Sequence, residues 1–492
     1  MRKISLVTLL AFIILKSFAF SPVEDGYNIK VKIKGLKDTV CYLGYYYADK
    51  QYVLDTTKID ANGSGTFIGD KKLDGGLYFL YTPKNTLVQF LISDAQKLTI
   101  ETDTLDIIGK MKYTGSNENK LFNEFHQYRM NEYNKVMAFK KRLDANKGNK
   151  DSTDFLNKQI SKVDEEVLNF IKNASIKYPK TLYSTILKSN LQVEIPESPK
   201  DANGKDLDTL FALHYLQKHY FDNVDMSDGR IVRTPILHQK LMDYLKRLVV
   251  PHPDSIIKAC DYIIELSKAD TTTFRYVVPT LTNYYETSKY MGMDAVFVHL
   301  ADKYYLTGKT WWADSTLIAK MTERVNALKP TLLGGSAHNI VLYDTLFKEV
   351  PLYSIKAEYT VIFFYEPDCG HCKKATPKMV KLYEAYKAKG VEIYGVDIKT
   401  DVKEWKTFIQ EYKTKWLNVS DPYNKSGFRN YYDIYSTPVI YLLDKSKKII
   451  AKRLTPEQLE DMIRHKLGIK GDDGRILEKP ENMKEELHED DH

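Results

Sequence analysis

Apolar and polar residues alternate along the first part of the chain. Ile29, Val31 and Ile33 are apolar, whereas the residues between them are lysines. A period of two with one apolar face predicts a β-strand that is buried on one side. Further strand-like segments, bounded by turn-forming residues, occupy 41–47, 65–68, 77–81, 88–92 and 98–102. We therefore predict a small antiparallel β-domain with a sandwich architecture over residues 24–115.

From Ser116 the hydrophobic period becomes that of a helix. Leu121, Phe125 and Tyr128 are spaced to lie on one helical face. Similar helical patterns recur through the middle of the chain, around 163–171 and then at 210–221, 237–248, 256–266, 276–285, 295–305 and 315–328. No fixed repeat relates these segments. Residues 116–330 are predicted to be an all-α region.

After Pro330 strands and helices alternate. Buried-strand patterns occur at 360–365, 391–396, 439–443 and 448–452, and helical patterns occur at 372–389, 402–412 and 456–467. Alternation of this kind is typical of an α/β unit built on a central sheet. We predict such a domain over residues 335–468. Together with the β-domain and the all-α region, it makes the predicted fold class multidomain.

The first residues have the features of a secretory signal peptide. Arg2 and Lys3 precede a short apolar run, and small residues at the −3 and −1 positions place a cleavage site after Ala19. The run is shorter than the roughly 20 residues that span a bilayer. Residues 1–19 are therefore predicted to direct the chain to the periplasm or cell envelope. An uncleaved membrane anchor is the alternative, and it is the one route by which we expect membrane association.

Composition and charge exclude other classes. Among 492 residues, 43% are apolar and 28% are charged, a balance typical of globular domains. The net charge of +7 is dispersed, without a dense basic run, so no nucleic-acid partner is expected. The last segment, 471–492, is rich in acids and is predicted to be a disordered tail.

The four cysteines separate into two kinds. Cys41 and Cys260 lie in apolar surroundings and are interpreted as buried hydrophobic residues. Cys369 and Cys372 form a C-x-x-C pair at a strand-to-helix junction, where the positive end of the helix dipole favours a thiolate at the first sulfur. This predicts Cys369 as the attacking thiol and Cys372 as the resolving thiol. No second Cys/His pair is nearby, so neither a metal site nor a cofactor is expected.

The residues 365–374, Tyr-Glu-Pro-Asp-Cys-Gly-His-Cys-Lys-Lys, resemble the active sites of thioredoxins and, more narrowly, of protein disulfide isomerases. Pro377 matches the helix-kinking proline of thioredoxins, and Thr437-Pro438 matches their cis-proline, which implies that these two residues contact the substrate. The segment 405–419 lies where thioredoxins of the ResA type carry an inserted element. The β-domain resembles an uncharacterised domain that precedes thioredoxin domains in bacterial envelope proteins.

The residues between the two cysteines, Gly370 and His371, belong to the predicted site. The His371 imidazole stabilises a Cys369 thiolate, which favours the reduced form and makes the dithiol/disulfide couple more oxidising. The reduction potential of thioredoxin is ~−270 mV and that of disulfide isomerase is ~−180 mV. For a two-electron couple this gap corresponds to roughly 4 kcal/mol, so we expect the identity of the two intervening residues to matter.

Two departures from the family pattern concern acidic residues. The families place a proton-shuttling acid either six residues before the first cysteine or three residues after the second, and those positions hold Phe363 and Ala375 here. Glu366 is a candidate substitute, although a solvated surface carboxylate is the alternative. Asp368 replaces the family tryptophan, and its charge opposes thiolate formation.

These features lead to the hypothesis of a periplasmic thiol–disulfide oxidoreductase that acts on protein cysteines. Its expected partners are cysteine-containing envelope proteins and an upstream redox partner. The alternative is an envelope binding or scaffold protein, in which the thioredoxin-like domain is a redox-tuned docking module.

Overall fold

In the computed structural model, residues 26–83, 87–146 and 148–469 are described. The predicted signal peptide at 1–19 and the predicted acidic tail at 471–492 lie outside the described residues. The described chain divides into two compact units between Met242 and Asp243. The structure confirms the predicted fold class, with a β-rich N-terminal region, a helical middle and a C-terminal sheet flanked by helices.

The N-terminal region contains eight strands among the described residues. They are β1 (Tyr27–Lys34), β2 (Thr39–Tyr47), β3 (Lys50–Ile59), β4 (Ser64–Gly69), β5 (Gly76–Tyr81), β6 (Leu87–Ile92), β7 (Lys97–Asp103) and β8 (Lys112–Thr114). Two four-stranded sheets have the orders β4-β1-β7-β8 and β3-β2-β5-β6. Apolar residues of both sheets form one core, in which Ile29, Leu43 and Phe90 are fully buried.

Three features of this region differ from the prediction, and one is that the short strand β8 is absent from the predicted elements. β1 pairs with β7 in parallel, so the region is not purely antiparallel. Strand β3 is absent from the predicted elements because most of its side chains are exposed and its sequence has no apolar alternation. It is hydrogen-bonded to β2 along its whole length, so pairing with the neighbouring strand, and not burial, holds it in the sheet.

The helical middle comprises nine α-helices among the described residues. They are α1 (Asn117–Ala145), α2 (Lys150–Lys177), α3 (Leu182–Ser189), α4 (Phe211–His219), α5 (Ile236–Asp243), α6 (Pro253–Ser267), α7 (Thr271–Glu286), α8 (Asp294–Leu300) and α9 (Ser315–Leu328). Helix α1 starts at Ser116, whose hydroxyl accepts a hydrogen bond from the backbone N–H of Asn119. Helix α3 is absent from the predicted elements because it is buried almost all round, which removes the helical period.

The C-terminal part is a seven-stranded sheet covered by helices. Its elements are β9 (Val341–Asp344), β10 (Glu349–Pro351), β11 (Tyr359–Tyr365), α10 (Gly370–Tyr386), β12 (Val391–Asp397), α11 (Val402–Tyr412), β13 (Leu417–Ser420), β14 (Val439–Leu443), β15 (Ile449–Lys452) and α12 (Pro456–Lys466). The strand order is β10-β9-β13-β12-β11-β14-β15, with β11, β12 and β13 parallel. Separate apolar cores cover the two faces, and α10, α11 and α12 contribute to one of them.

Within the second unit, charged contacts join helices α8 and α9 and the residues that follow them to this sheet. The Lys452 ammonium group is 5% exposed, forms an ion pair with Asp294 and donates to the carbonyl oxygen of Thr331 at 2.7 Å. Arg324 of α9 contacts Asp433 at 2.9 Å. These contacts stabilise the docking of the helices. No helix of the described ranges is both long enough and apolar enough to cross a bilayer.

We expect residues 335–469 to fold alone but to be less stable than residues 243–469. Every buried residue of the two sheet cores lies between Ala337 and Ile463, so the core is complete in the short fragment. Loss of the Lys452 contacts should lower the free energy of unfolding by roughly 2 kcal/mol, the value of a hydrogen bond to a charged group. Urea unfolding of both fragments measures this difference.

The variant Asp294→Asn in the longer fragment is the matched control, because it weakens the same contact without removing the helices. Equal stability of the two fragments, or an insoluble short fragment, would contradict the expectation.

Candidate active site

Strand β11 positions the two central cysteines. All seven of its residues except Tyr359 are buried, so the strand is fixed on both faces and ends at Tyr365. A short turn follows, in which the Cys369 N–H donates to the carbonyl oxygen of Glu366 at 3.2 Å. Helix α10 then starts, with Cys369 as its N-cap and Cys372 in the first turn. The chain therefore brings both sulfurs to the start of one helix.

The Cys369 sulfur lies among hydrogen-bond donors and is partly exposed. It accepts a hydrogen bond from the backbone N–H of Cys372 at 3.4 Å, and its own thiol group donates to the Thr437 carbonyl oxygen at 3.5 Å. Partial burial raises the pKa of the Cys369 thiol, but hydrogen bonds from the Cys372 thiol and from backbone N–H groups outweigh burial and lower it overall. The thiolate of Cys369 is favoured.

The Cys372 sulfur has the opposite environment. Its side chain is fully buried, and burial raises the pKa of its thiol to about 12. Both cysteines are free thiols. One thiol is thus accessible with a lowered pKa, whereas its neighbour is buried with a raised pKa. Their roles as attacking and resolving thiols stay predictions.

The loop before β14 closes the other side of the site. The Thr437–Pro438 peptide bond is cis, and the Thr437 hydroxyl donates to the Glu366 carboxylate at 3.2 Å. A cavity of about 240 Å³ lies beside Pro438. Its lining residues are Arg324, Asp433, Tyr435, Ser436, Pro438, Val439, Arg453 and Leu454.

Comparison with known proteins agrees with this geometry. The AhpC/TSA family profile matches residues 333–452. Thiol-disulfide oxidoreductase ResA of Bacillus cereus is 32% identical over 131 residues, which are 26% of this chain and 75% of that relative. The chain belongs to the ResA family of thiol–disulfide oxidoreductases. The predicted thioredoxin-like domain of the ResA type is confirmed.

Solved structures and the remaining profiles add to the comparison. A domain of a possible thiol-disulfide isomerase from Cytophaga hutchinsonii is 44% identical, covering 27% of this chain and 90% of that one, with a TM-score of 0.26. A thiol:disulfide interchange protein from Bacteroides sp. is 32% identical over the same shares, also with a TM-score of 0.26. Residues 27–122 and 170–328 match two domains of unknown function, DUF4369 and DUF5106.

Lys399 is a site residue that the sequence analysis missed. Its ammonium group lies 2.5 Å from the Asp368 carboxylate and 3.8 Å from that of Glu366. The hydrogen bond from Lys399 lowers the pKa of Asp368, so this carboxylate is ionised and the positive charge of Lys399 offsets its negative charge. The expected opposition of Asp368 to the Cys369 thiolate is therefore reduced. Only the pairing of β11 with β12 brings Lys399 here, and no local sequence pattern indicates it.

The other predicted residues surround this ResA-type dithiol in different ways. Gly370 and His371 are both exposed, and the backbone N–H of His371 helps to lower the pKa of Cys369. Pro377 lies on the exposed side of α10. Glu366 is partly exposed, with a side-chain exposure of 30%, and contacts Thr437 and Lys399 instead of being fully solvated.

The site also holds a buried acid that the sequence analysis did not identify. Phe363 is fully buried and apolar, as its sequence indicates. Asp397, at the end of the adjacent strand β12, is 1% exposed and lies opposite Tyr365 in the strand pairing. Burial raises the pKa of Asp397 to about 7. The available signal was an acid at the end of a strand whose preceding residues, Ile393 to Val396, carry no charge.

Neither of the other cysteines belongs to the site. Cys41 and Cys260 are both fully buried, and burial raises the pKa of each thiol. Within the described ranges, no group of three His, Cys, Asp or Glu side chains is arranged to hold a metal ion.

We expect Lys399→Met to raise the pKa of Cys369 by a fraction of a pH unit. The substitution leaves the Asp368 charge uncompensated near the sulfur, and a nearby negative charge disfavours the thiolate. The pH dependence of Cys369 alkylation measures the change. The double variant Asp368→Asn/Lys399→Met should return the pKa towards that of the wild type; a double variant that stays shifted would rule out this explanation.

We also expect Asp397→Asn to make the protein more stable at neutral and alkaline pH. In the unfolded chain Asp397 ionises near ~3.9, whereas in the folded chain its pKa is about 7. Stability is therefore lost as the pH rises from about 4 to about 7, by up to about 4 kcal/mol. Urea unfolding of wild type and variant across this range measures the loss. At acidic pH the two should agree, and an equal pH dependence of both proteins would refute the interpretation.

Proposed function

We propose that this chain is an envelope thiol–disulfide oxidoreductase that acts on protein cysteines through the Cys369–Cys372 pair. The observation that carries the proposal is the contrast between the two sulfurs. Cys369 is accessible with a lowered pKa, whereas Cys372 is buried with a raised pKa. The signal-like residues 1–19 support a location outside the cytoplasm.

The proposed reaction has two exchange steps. The Cys369 thiolate attacks a substrate disulfide, forms a mixed disulfide with one substrate sulfur and releases the other as a thiolate, which takes a proton from water. Cys372 then loses its proton and attacks Cys369, forming the Cys369–Cys372 disulfide and releasing the second substrate sulfur. The substrate is reduced by two electrons and the protein is oxidised. The same steps in reverse oxidise a substrate dithiol.

The loop before β14 supplies the substrate-binding surface in this proposal. The Thr437 carbonyl oxygen lies 3.5 Å from the Cys369 sulfur, and Pro438 borders the adjacent cavity. A substrate segment that lies along Thr437 and Pro438 would present its sulfur to Cys369. The partners are cysteine-containing envelope proteins and an upstream redox protein that restores the starting oxidation state.

We expect Cys369 to be alkylated before the other cysteines, because its sulfur alone among the four is both accessible and acidic. The pH midpoint should lie below about 8.5, the value of a free thiol. Cys369→Ser should abolish exchange, and Cys372→Ser should accumulate mixed disulfides that nothing resolves. Mass spectrometry after brief alkylation across a pH series measures the first two results.

Cys260→Ser is the matched control, since it removes a buried thiol outside the site and should leave exchange unchanged. If Cys369 reacts no faster than Cys260, or if its midpoint equals that of a free thiol, the chain is better explained as a scaffold whose thioredoxin-like domain is a docking module.

A further inference from the structure

Two arginines line the cavity beside Pro438. Arg324 belongs to α9, and Arg453 is the residue that follows β15, so both lie in the second unit. Both contact the carboxylate of Asp433. A guanidinium nitrogen of Arg324 lies 2.9 Å from Oδ1, and Arg453 contacts Oδ2. Each oxygen of this carboxylate therefore already has one arginine as its partner.

The cavity carries an excess of positive charge. Its lining contains two arginines and one carboxylate among the described residues. Lys452 and Asp294, whose charges act on the two arginines, form an ion pair with each other. Burial and then the charge of Arg324 lower the pKa of Arg453, so the two guanidinium groups repel each other. One more anion in the cavity would balance the charge of this cluster.

The two guanidinium groups retain donors for a ligand. Each guanidinium group has five N–H donors in one plane. Among the described residues, Asp433 is the one side-chain hydrogen-bond partner of both arginines. The Asp433 side chain is 6% exposed, whereas that of Arg453 is 48% exposed, so an entering ligand meets the arginine first. Carboxylates are the anions that a guanidinium group binds best, through two parallel hydrogen bonds.

The backbone of Arg453 also supports a role in binding. Its φ is 56°, in the left-handed region that residues with long side chains rarely adopt. Its N–H donates to the carbonyl oxygen of Ile440 at 2.8 Å, which holds this conformation. Unfavourable backbone conformations that are held in this way concentrate at ligand sites. Because Ile440 lies two residues after Pro438 on the chain, the hydrogen bond fixes Arg453 relative to the cis-proline.

We propose that this cavity binds a carboxylate of the substrate polypeptide, supplied by an aspartate or glutamate side chain close to the cysteine that Cys369 attacks. The inference rests on the proposed function and deepens it, because it names the class of substrate. Arg324 and Arg453 hold the carboxylate, and Asp433 orients both guanidinium groups. From there the substrate segment passes Pro438 and reaches the reactive sulfur.

The proposal gives the helical region a part in substrate selection. Arg324 lies within residues 170–328, which match the domain of unknown function DUF5106, and outside residues 333–452, which match the AhpC/TSA profile. One of the two arginines therefore comes from outside the thioredoxin-like domain. The preference for acidic substrates is a property of the two regions together.

Peptides that differ in one side chain test this proposal on the full-length reduced protein. Each peptide has an amidated carboxyl end and one cysteine, which is joined to thionitrobenzoate as a mixed disulfide. Glutamate or glutamine occupies one position, which is varied along both sides of the cysteine. Attack by Cys369 on the peptide sulfur releases thionitrobenzoate, whose absorbance gives the second-order rate constant. At the position that reaches the cavity, the glutamate peptide should react roughly fivefold faster than the glutamine peptide.

Variants of the two arginines assign the preference to the cavity. Arg324→Gln and Arg453→Asn should each bring the ratio of the two rate constants towards one, and asparagine tolerates the left-handed conformation at position 453. Arg324→Lys keeps the charge and should retain part of the preference. Lys378→Gln is the matched control, because Lys378 is an exposed cation on α10 that pairs with Glu457 outside the cavity. This control should leave the ratio unchanged.

The wild type alone is enough to overturn the proposal, so the test holds even where a variant does not fold. A ratio near one at every peptide position would do so. A glutamate preference that is equal at all positions, or that Lys378→Gln lowers as much as Arg324→Gln, would show only general attraction to a basic protein and would also overturn it. Absence of thionitrobenzoate release from every peptide would instead refute the proposed function.

Discussion

The site depends on one hydrogen bond, from the backbone N–H of Cys372 to the sulfur of Cys369. This bond makes Cys369 the N-cap of α10, so its sulfur faces the unpaired N–H groups of the first helical turn. The same geometry places Cys372 one turn inside the helix, where the core covers it. Opposite pKa shifts of two identical side chains therefore follow from a single helix start.

The surrounding sheet holds this helix start in place. Strand β11 lies between β12 and β14 and is buried on both faces, so its end is held by β12 at Tyr365 and by β14 at Phe364. Strand β14 begins directly after Pro438, which fixes the Thr437 carbonyl oxygen opposite Cys369. Catalytic groups at the ends of rigid strands keep their geometry while a substrate binds and leaves. The reactive sulfur is thus positioned by elements that are distant in sequence.

Local hydrophobic patterns predicted most of the longer elements but missed strand β3 and helix α3. Strand β3 is mostly exposed and α3 is almost entirely buried, so neither has a hydrophobic period. The dithiol was predictable because its chemistry depends on spacing within one turn of helix. Lys399 was not, since its contact with Asp368 joins residues 31 positions apart and arises from strand pairing. Local sequence patterns therefore predict local geometry, whereas contacts between paired strands can be identified only once the fold is known.

The buried carboxyl group of Asp397 illustrates the same limit of local sequence patterns. Spacing from the cysteines directs attention to position 363 on β11, which holds phenylalanine. The buried carboxyl group lies instead at position 397 on the adjacent strand, because the pairing of β11 with β12 sets Asp397 opposite Tyr365.

A search by spacing from the cysteines finds position 363 and overlooks position 397. Asp397 is buried with one carboxyl oxygen that has no partner among the described residues, and this arrangement destabilises the fold near neutral pH. This cost follows from the burial of the carboxyl group, which the strand pairing imposes and no spacing from the cysteines indicates.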